Sequence, residues 1–233
     1  MKTFLKHYVL AVALLLVSAS GIAQTTALDY YNRGLAKQAR GDLDGAIADY
    51  NRAIELDPKY VFAYNNRGTA KKAKGDLDGA IIDYTRAIKL DPKYVFGYNN
   101  RGNAKQAKGD LDGAIADYNR AIELHPKYVP AYNNMAWLLA TAADAAVRDG
   151  RKAVEYARIV CQITDFKAEN HLDTLAAAYA EAGDYEQAAS WQQKAIAASK
   201  DNAFRTKAQE RLTLYRNGKP YHETLHTGKA SSK

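Results

Sequence analysis

Residues 61–94, VFAYNNRGTAKKAKGDLDGAIIDYTRAIKLDPKY, recur almost unchanged as residues 95–128, with 27 of the 34 positions identical. A unit of this length is too small to bury a core by itself and acquires one by stacking on its neighbours, so the chain is restricted to quasi-one-dimensional architectures. A third copy, residues 27–60, precedes these two without a gap.

Each copy holds two helical patterns and a break. In residues 61–94 the first helix is predicted over 61–73, with Tyr64, Gly68 and Lys71 at helical spacing. Gly75 suits the left-handed residue that follows a helix, and the Asp76 carboxylate can cap the next one. The second helix, over 77–90, sets Leu77, Ala80, Ile81, Tyr84, Ala87 and Ile88 along one stripe, which leaves its other face wet. Asp91-Pro92 stops it, because proline breaks the hydrogen-bond ladder and restricts the residue before it. Gly68, Ala80 and Ala87 allow close approach of the paired helices, and Tyr64 and Tyr84 fill the space between them.

Tyr64, Arg67-Gly68, Lys71, Ala80, Tyr84, Ala87 and Pro92 together resemble the tetratricopeptide repeat pattern, which the chain follows over about residues 27–199. Two positions depart from it: Arg67 replaces a usual apolar residue, and Lys71 a usual tyrosine. The resemblance implies an all-α solenoid of helix-turn-helix units whose work is binding other proteins. Five units are expected, at 27–60, 61–94, 95–128, 129–168 and 169–200. The fourth carries Tyr132, Ala136, Trp137 and Leu139 and a lengthened connection over 142–148, and the fifth repeats the break as Gly183-Asp184. A one-sided helix over 201–217, with Ala208, Leu212 and Tyr215 on its apolar side, would cap the stack. Residues 218–233 read as a polar, mobile tail.

The N-terminus differs in kind. Lys2 and Lys6 precede an apolar run over 8–17 and small residues up to Ala23, the layout of an export signal cut before Gln24. The run is shorter than the ~20 residues of a spanning helix, so a retained anchor is the weaker reading and no stable membrane insertion is expected after cleavage. Residues 24–26 would form a short leader, and the mature chain would be periplasmic or extracellular. Loss of Lys2 and Lys6 takes the formal charge from +7 to +5. The basic residues recur among carboxylates instead of gathering in one stretch, which argues against a nucleic-acid partner. Cys161 is the only cysteine, so no intramolecular disulfide can form. Its place beside Ile159 and Ile163 suits a buried small residue, with a reactive thiol as the alternative.

Three sets of residues could carry function. Arg33, Arg67 and Arg101 share one site in the copies, and Asp49, Asp83 and Asp117 share another. Units four and five replace the arginine by Met135 and Leu175 and the aspartate by Tyr156 and Trp191, so both charges vanish together. Structural ion pairs are expected, with ligand binding by the arginines as the alternative. Asn32, Asn66, Asn100 and Asn134 recur at one site on four first helices. In the resembled family first helices line the concave face, and a similar ladder in some members holds an extended peptide. Each amide offers a donor and an acceptor to a partner's backbone. The resemblance then puts Thr69, Lys72, Asn103 and Gln106 beside the ladder and Phe62 and Phe96 near its rim. A solvated face fixed by duplication would explain the same asparagines.

The third set, His222-Glu223-Thr224-Leu225-His226, matches the H-E-x-x-H zinc-protease pattern. It lies in the last dozen residues, after Lys219-Pro220, and nothing in the sequence brings a third ligand such as His171 near it. An accidental match is the reading taken, with no enzyme, cofactor or metal expected. The partner is expected to be a protein or peptide held in the concave groove. The alternatives are a structural subunit of a cell-envelope assembly, docking through its convex face or ends, and remotely a zinc hydrolase.

Overall fold

The computed structural model describes residues 25–224; the export signal expected over 1–23 and the end of the tail lie outside them. Among the described residues there are eleven helices and no strand, arranged as five hairpins and a last helix. They are α1 (Ala27–Ala39), α2 (Leu43–Leu56), α3 (Val61–Ala73), α4 (Leu77–Leu90), α5 (Val95–Lys108), α6 (Leu111–Leu124), α7 (Val129–Thr141), α8 (Gly150–Ile163), α9 (Glu169–Glu181), α10 (Tyr185–Ala198) and α11 (Asn202–Arg216). Contacts run within each hairpin, to the next hairpin and from α10 to α11, the signature of an α-solenoid with a capping helix.

The breaks behave as their residues require. Asp42, Asp76 and Asp110 each accept a backbone N–H from the glycine three residues on. Gly41, Gly75 and Gly109 have φ of +82°, +87° and +84°, which a side chain would resist.

The core changes composition along the stack. In the three copies it is built from alanine and tyrosine: Ala46, Tyr50 and Ala53, then Ala80, Tyr84 and Ala87, then Ala114, Tyr118 and Ala121, all fully buried. Each tyrosine lies against the glycine of its own first helix. A Cβ on Gly68 would meet the Tyr84 ring at 2.8 Å, so glycine and tyrosine form one matched set. Units four and five invert the arrangement, placing Met135, Leu138, Leu139, Leu172 and Leu175 in the interior against Ala153, Ala157 and Ala195. Cys161 is buried there, which pushes its thiol up to about 11. None of the helices in the described residues is long and apolar enough to cross a membrane.

The tail departs from expectation. Residues 221–223 are packed, with Tyr221 against Trp137 and Glu223 bonded to α7. The polar composition concealed this, because one aromatic ring and two polar side chains suffice to anchor a short stretch without regular secondary structure.

Candidate functional site

The first helices α1, α3, α5, α7 and α9 carry the sequence-selected residues. Arg67 Nε donates to Asp83 Oδ2 at 2.9 Å and its terminal nitrogen donates to Oδ1 at 2.5 Å, a two-pronged fork. Arg33 with Asp49 and Arg101 with Asp117 repeat it. The second departure from the family pattern joins the first. Lys37, Lys71 and Lys105, one turn beyond each arginine, lie 2.9, 2.8 and 2.9 Å from the same carboxylates. Each aspartate therefore sits under two cations, and Asp83 is only 1% exposed. Arg67 also donates to Asn51, and Arg101 to Thr85, each on the second helix of the preceding unit. The arginine thus ties three helices together. Arg33 has no described unit before it, and its side chain stays 54% exposed, against 17% for Arg67 and Arg101. The Arg33 hydrogen bond holds the Asp49 carboxyl below the usual carboxylate range.

The asparagines form a second inter-unit system. Asn66 donates its amide to the Tyr31 hydroxyl at 2.8 Å, Asn100 to Asn65 Oδ1 at 3.0 Å and Asn134 to Asn99 Oδ1 at 2.9 Å. The acceptors, Tyr31, Asn65 and Asn99, occupy the position just before the ladder asparagine in the preceding unit. The doubled Asn-Asn of units two to four is the sequence signal for this arrangement: its first member can accept and its second donates. The series stops after unit four. Unit five has Thr174 where the next donor would be, and its hydroxyl turns to the Asn170 carbonyl. Asn133 Oδ1 is accordingly buried without a partner among the described residues.

The remaining selected residues lie around this ladder. Thr69 donates to the Asn65 carbonyl and receives the Tyr84 hydroxyl. Asn103 Oδ1 and Gln106 Oε1 stand 2.7 and 2.8 Å from the Tyr118 hydroxyl, which has one proton to give and can serve one of them at a time. Lys72 is half-buried and Asn32 exposed. Phe62 and Phe96 are 52% and 54% exposed. They alternate with Tyr60, Tyr94 and Tyr128 in a row of rings 5.5–6.3 Å apart along one edge of the stack.

An open cleft of ≈ 500 Å³ lies on the first-helix side, lined by Asn103, Gln106, Leu111, Asn134 and Trp137, with Glu223 and Thr224 at its end. Beside it is a polar cluster that the sequence did not reveal. Asp173 of α9, buried, accepts two bonds from Arg211 of α11 at 2.9 and 2.8 Å and one from Gln192 of α10 at 2.7 Å. Burial pushes the Asp173 pKa up, and Arg211 and Gln192 act against that. Units one to four have Tyr31, Asn65, Asn99 and Asn133 at the Asp173 position, so nothing in the repeat pattern announces it.

The described part of the zinc-like pattern is not helical, and its side chains are engaged elsewhere: His222 lies 2.6 Å from Glu181 and Glu223 takes the Trp137 indole proton. Leu225 and His226 lie outside the described residues. Among the described residues no three His, Cys, Asp or Glu side chains are placed to hold a metal ion.

A stack of helical hairpins joined by repeated inter-unit bonds defines a helical repeat protein. Models described as TPR repeat match residues 34–74 and 68–109, and models described as tetratricopeptide repeat match 95–128, 117–152 and 169–201. The chain belongs to the tetratricopeptide repeat family. No curated protein matches it. Among solved structures it is similar to MamA, at 24% identity over 78% of this chain and 96% of that one, with a TM-score of 0.61. A tetratricopeptide repeat protein from Parabacteroides merdae matches at 17% identity over 82% and 74% of the two chains, with a TM-score of 0.66. YrrB, described as having an unusual peptide-binding site, matches at 20% identity over 83% and 97%, with a TM-score of 0.60. These likenesses show the shared fold.

Proposed function

We propose that this chain is a non-catalytic interaction scaffold that holds an extended segment of a partner protein against its first-helix face. The observation that carries this reading is the open cleft lined by Asn103, Gln106, Asn134 and Trp137, a concave surface with apolar walls and a few convergent amides. The donors of Asn66, Asn100 and Asn134 are engaged between units, so we assign partner contact chiefly to Lys72, Asn103 and Gln106, with Phe62 and Phe96 at the rim. The lone exposed amide of the ladder, Asn32, remains available at the first unit.

Photocrosslinkers placed at Lys72 and Asn103 should capture the partner, whereas one at Ile82, exposed on a second helix, should not. Capture from Ile82 alone would sink the groove reading and favour docking of an envelope assembly through the opposite face. We also propose that the protein works outside the cytoplasm, on the strength of Lys2, Lys6 and the apolar run that follows them. The mass of the exported protein should correspond to a chain starting at Gln24, and a retained N-terminus would refute cleavage there.

A further inference from the structure

Residues 221–223 lie without regular secondary structure against units four and five, and the contacts of successive side chains alternate between two sides. Tyr221 and Glu223 turn to the same side. The Tyr221 ring is 6.1 Å from the Trp137 ring and 5.5 Å from the Arg211 guanidinium, which is itself 5.7 Å from Trp137. The Glu223 carboxylate accepts the Trp137 indole N–H at 2.7 Å, and the Glu223 backbone N–H donates to the Thr141 carbonyl at 2.7 Å. His222 turns the other way, to Glu181, which also takes Arg148 at 2.9 Å.

These contacts specify a ligand. An indole N–H can only donate, so the atom opposite it must accept, and a carboxylate does so most strongly. Arg211 has its charge matched by Asp173 and still lies within cation–π distance of a ring placed at the site, which favours an aromatic residue there. The Thr141 carbonyl takes a backbone N–H from any residue. Tyr221, His222 and Glu223 are each partly exposed, whereas Tyr215, six residues earlier, is fully buried. The stretch is attached through Gly218, at φ +65°, and Pro220, and among the described residues it makes one main-chain bond to the first-helix face. A partly exposed segment held mainly through side-chain contacts, with a single main-chain bond, is exchangeable.

We propose that the Trp137 surface is a recognition site for an extended segment bearing an aromatic residue and, two residues later, a carboxylate. Residues 221–223 of the chain fill this site in cis, and a partner of that pattern enters by displacing them. This rests on the groove reading above and names the partner class for its fourth and fifth units. A short tether gives the cis segment a millimolar effective concentration, so a partner's apparent affinity falls in proportion to the occupied fraction.

The test uses full-length protein and a labelled peptide of sequence KPYHETLHTG, followed by fluorescence anisotropy. The double variant Tyr221→Ala/Glu223→Ala should bind the peptide at least about tenfold more tightly than the unaltered protein. Trp137→Phe in that background should reverse the gain by about tenfold, since it keeps a ring but loses the donor. A peptide with alanine in place of its tyrosine and glutamate should bind neither protein. Equal affinity of the two proteins, indifference to Trp137→Phe, or loss of helical structure in the double variant would overturn the proposal, the last by making the tail a fixed part of the fold. If the peptide fails while Lys72 and Asn103 still crosslink a partner, only this inference falls. If those crosslinks fail too, the groove reading falls with it.

Discussion

Replacing Arg67 by methionine should destabilise the stack by about 3–5 kcal/mol, because it strips a buried carboxylate of its two-pronged partner. Asp83 would keep Lys71 at 2.8 Å, and the bond from Arg67 to Asn51 of the preceding unit would also be lost. The double variant Arg67→Met/Asp83→Tyr reproduces the pair that unit four carries as Met135 and Tyr156, and it should recover most of the loss. Urea unfolding of the two variants makes the comparison, since exchanging a buried ion pair for packed apolar groups is often neutral or better. Equal destabilisation by the single and double changes would sink the pairing. Arg33→Met should cost clearly less, because that arginine is largely solvated and exposed pairs contribute little.

Arg211→Leu should have an effect of similar size, about 3–5 kcal/mol, and it should be confined to the end of the stack. Asp173 and Arg211 are both buried, with side chains only 7% and 11% exposed, and Gln192 alone cannot satisfy the carboxylate. Within a solenoid each element depends on its neighbours, and α11 packs chiefly on α10. Amides of α11 should therefore lose hydrogen-exchange protection while those of α3 and α4 keep theirs. Arg211→Lys retains the charge but not the fork and should fall between the two. Unchanged protection of α11 in Arg211→Leu would show that the Asp173 cluster does not hold the cap.

The repeat itself made most of the fold legible. A period of 34 residues, Gly75-Asp76 between helices and Pro92 after them left little freedom in where the helices lie, and the small residues opposite Tyr84 fixed how they pair. The site was less readable for a physical reason. Periodicity reports what recurs, so Arg67 and Lys71 were both visible as departures, but that they converge on one carboxylate became clear only in three dimensions. Asp173 and Arg211 occur once, 38 residues apart, and leave no periodic trace. The tail was concealed for another reason: composition averages over sixteen residues, whereas the contacts described are made by Tyr221, His222 and Glu223. The asparagines show a third kind of gap. Their recurrence was plain, but an amide can face a ligand or a neighbouring unit with equal chemical ease, and the sequence does not say which way it turns.

The asparagine bonds between units all run in one sense, from a donor in the later unit to an acceptor in the earlier one. Each unit from the second to the fourth offers both halves of that coupling, and the 27 positions shared by 61–94 and 95–128 include Asn65, Asn66, Asn99 and Asn100. An additional copy of residues 61–94 inserted after Tyr94 would meet a matching acceptor below it and a matching donor above it, so neither junction would need new residues. Copy number is therefore a variable the architecture tolerates, lengthening the first-helix face in whole steps, while the fourth and fifth units stay fixed as the end that carries Trp137 and the tail. In that sense the duplication is a means of setting the length of the stack without redesigning its junctions.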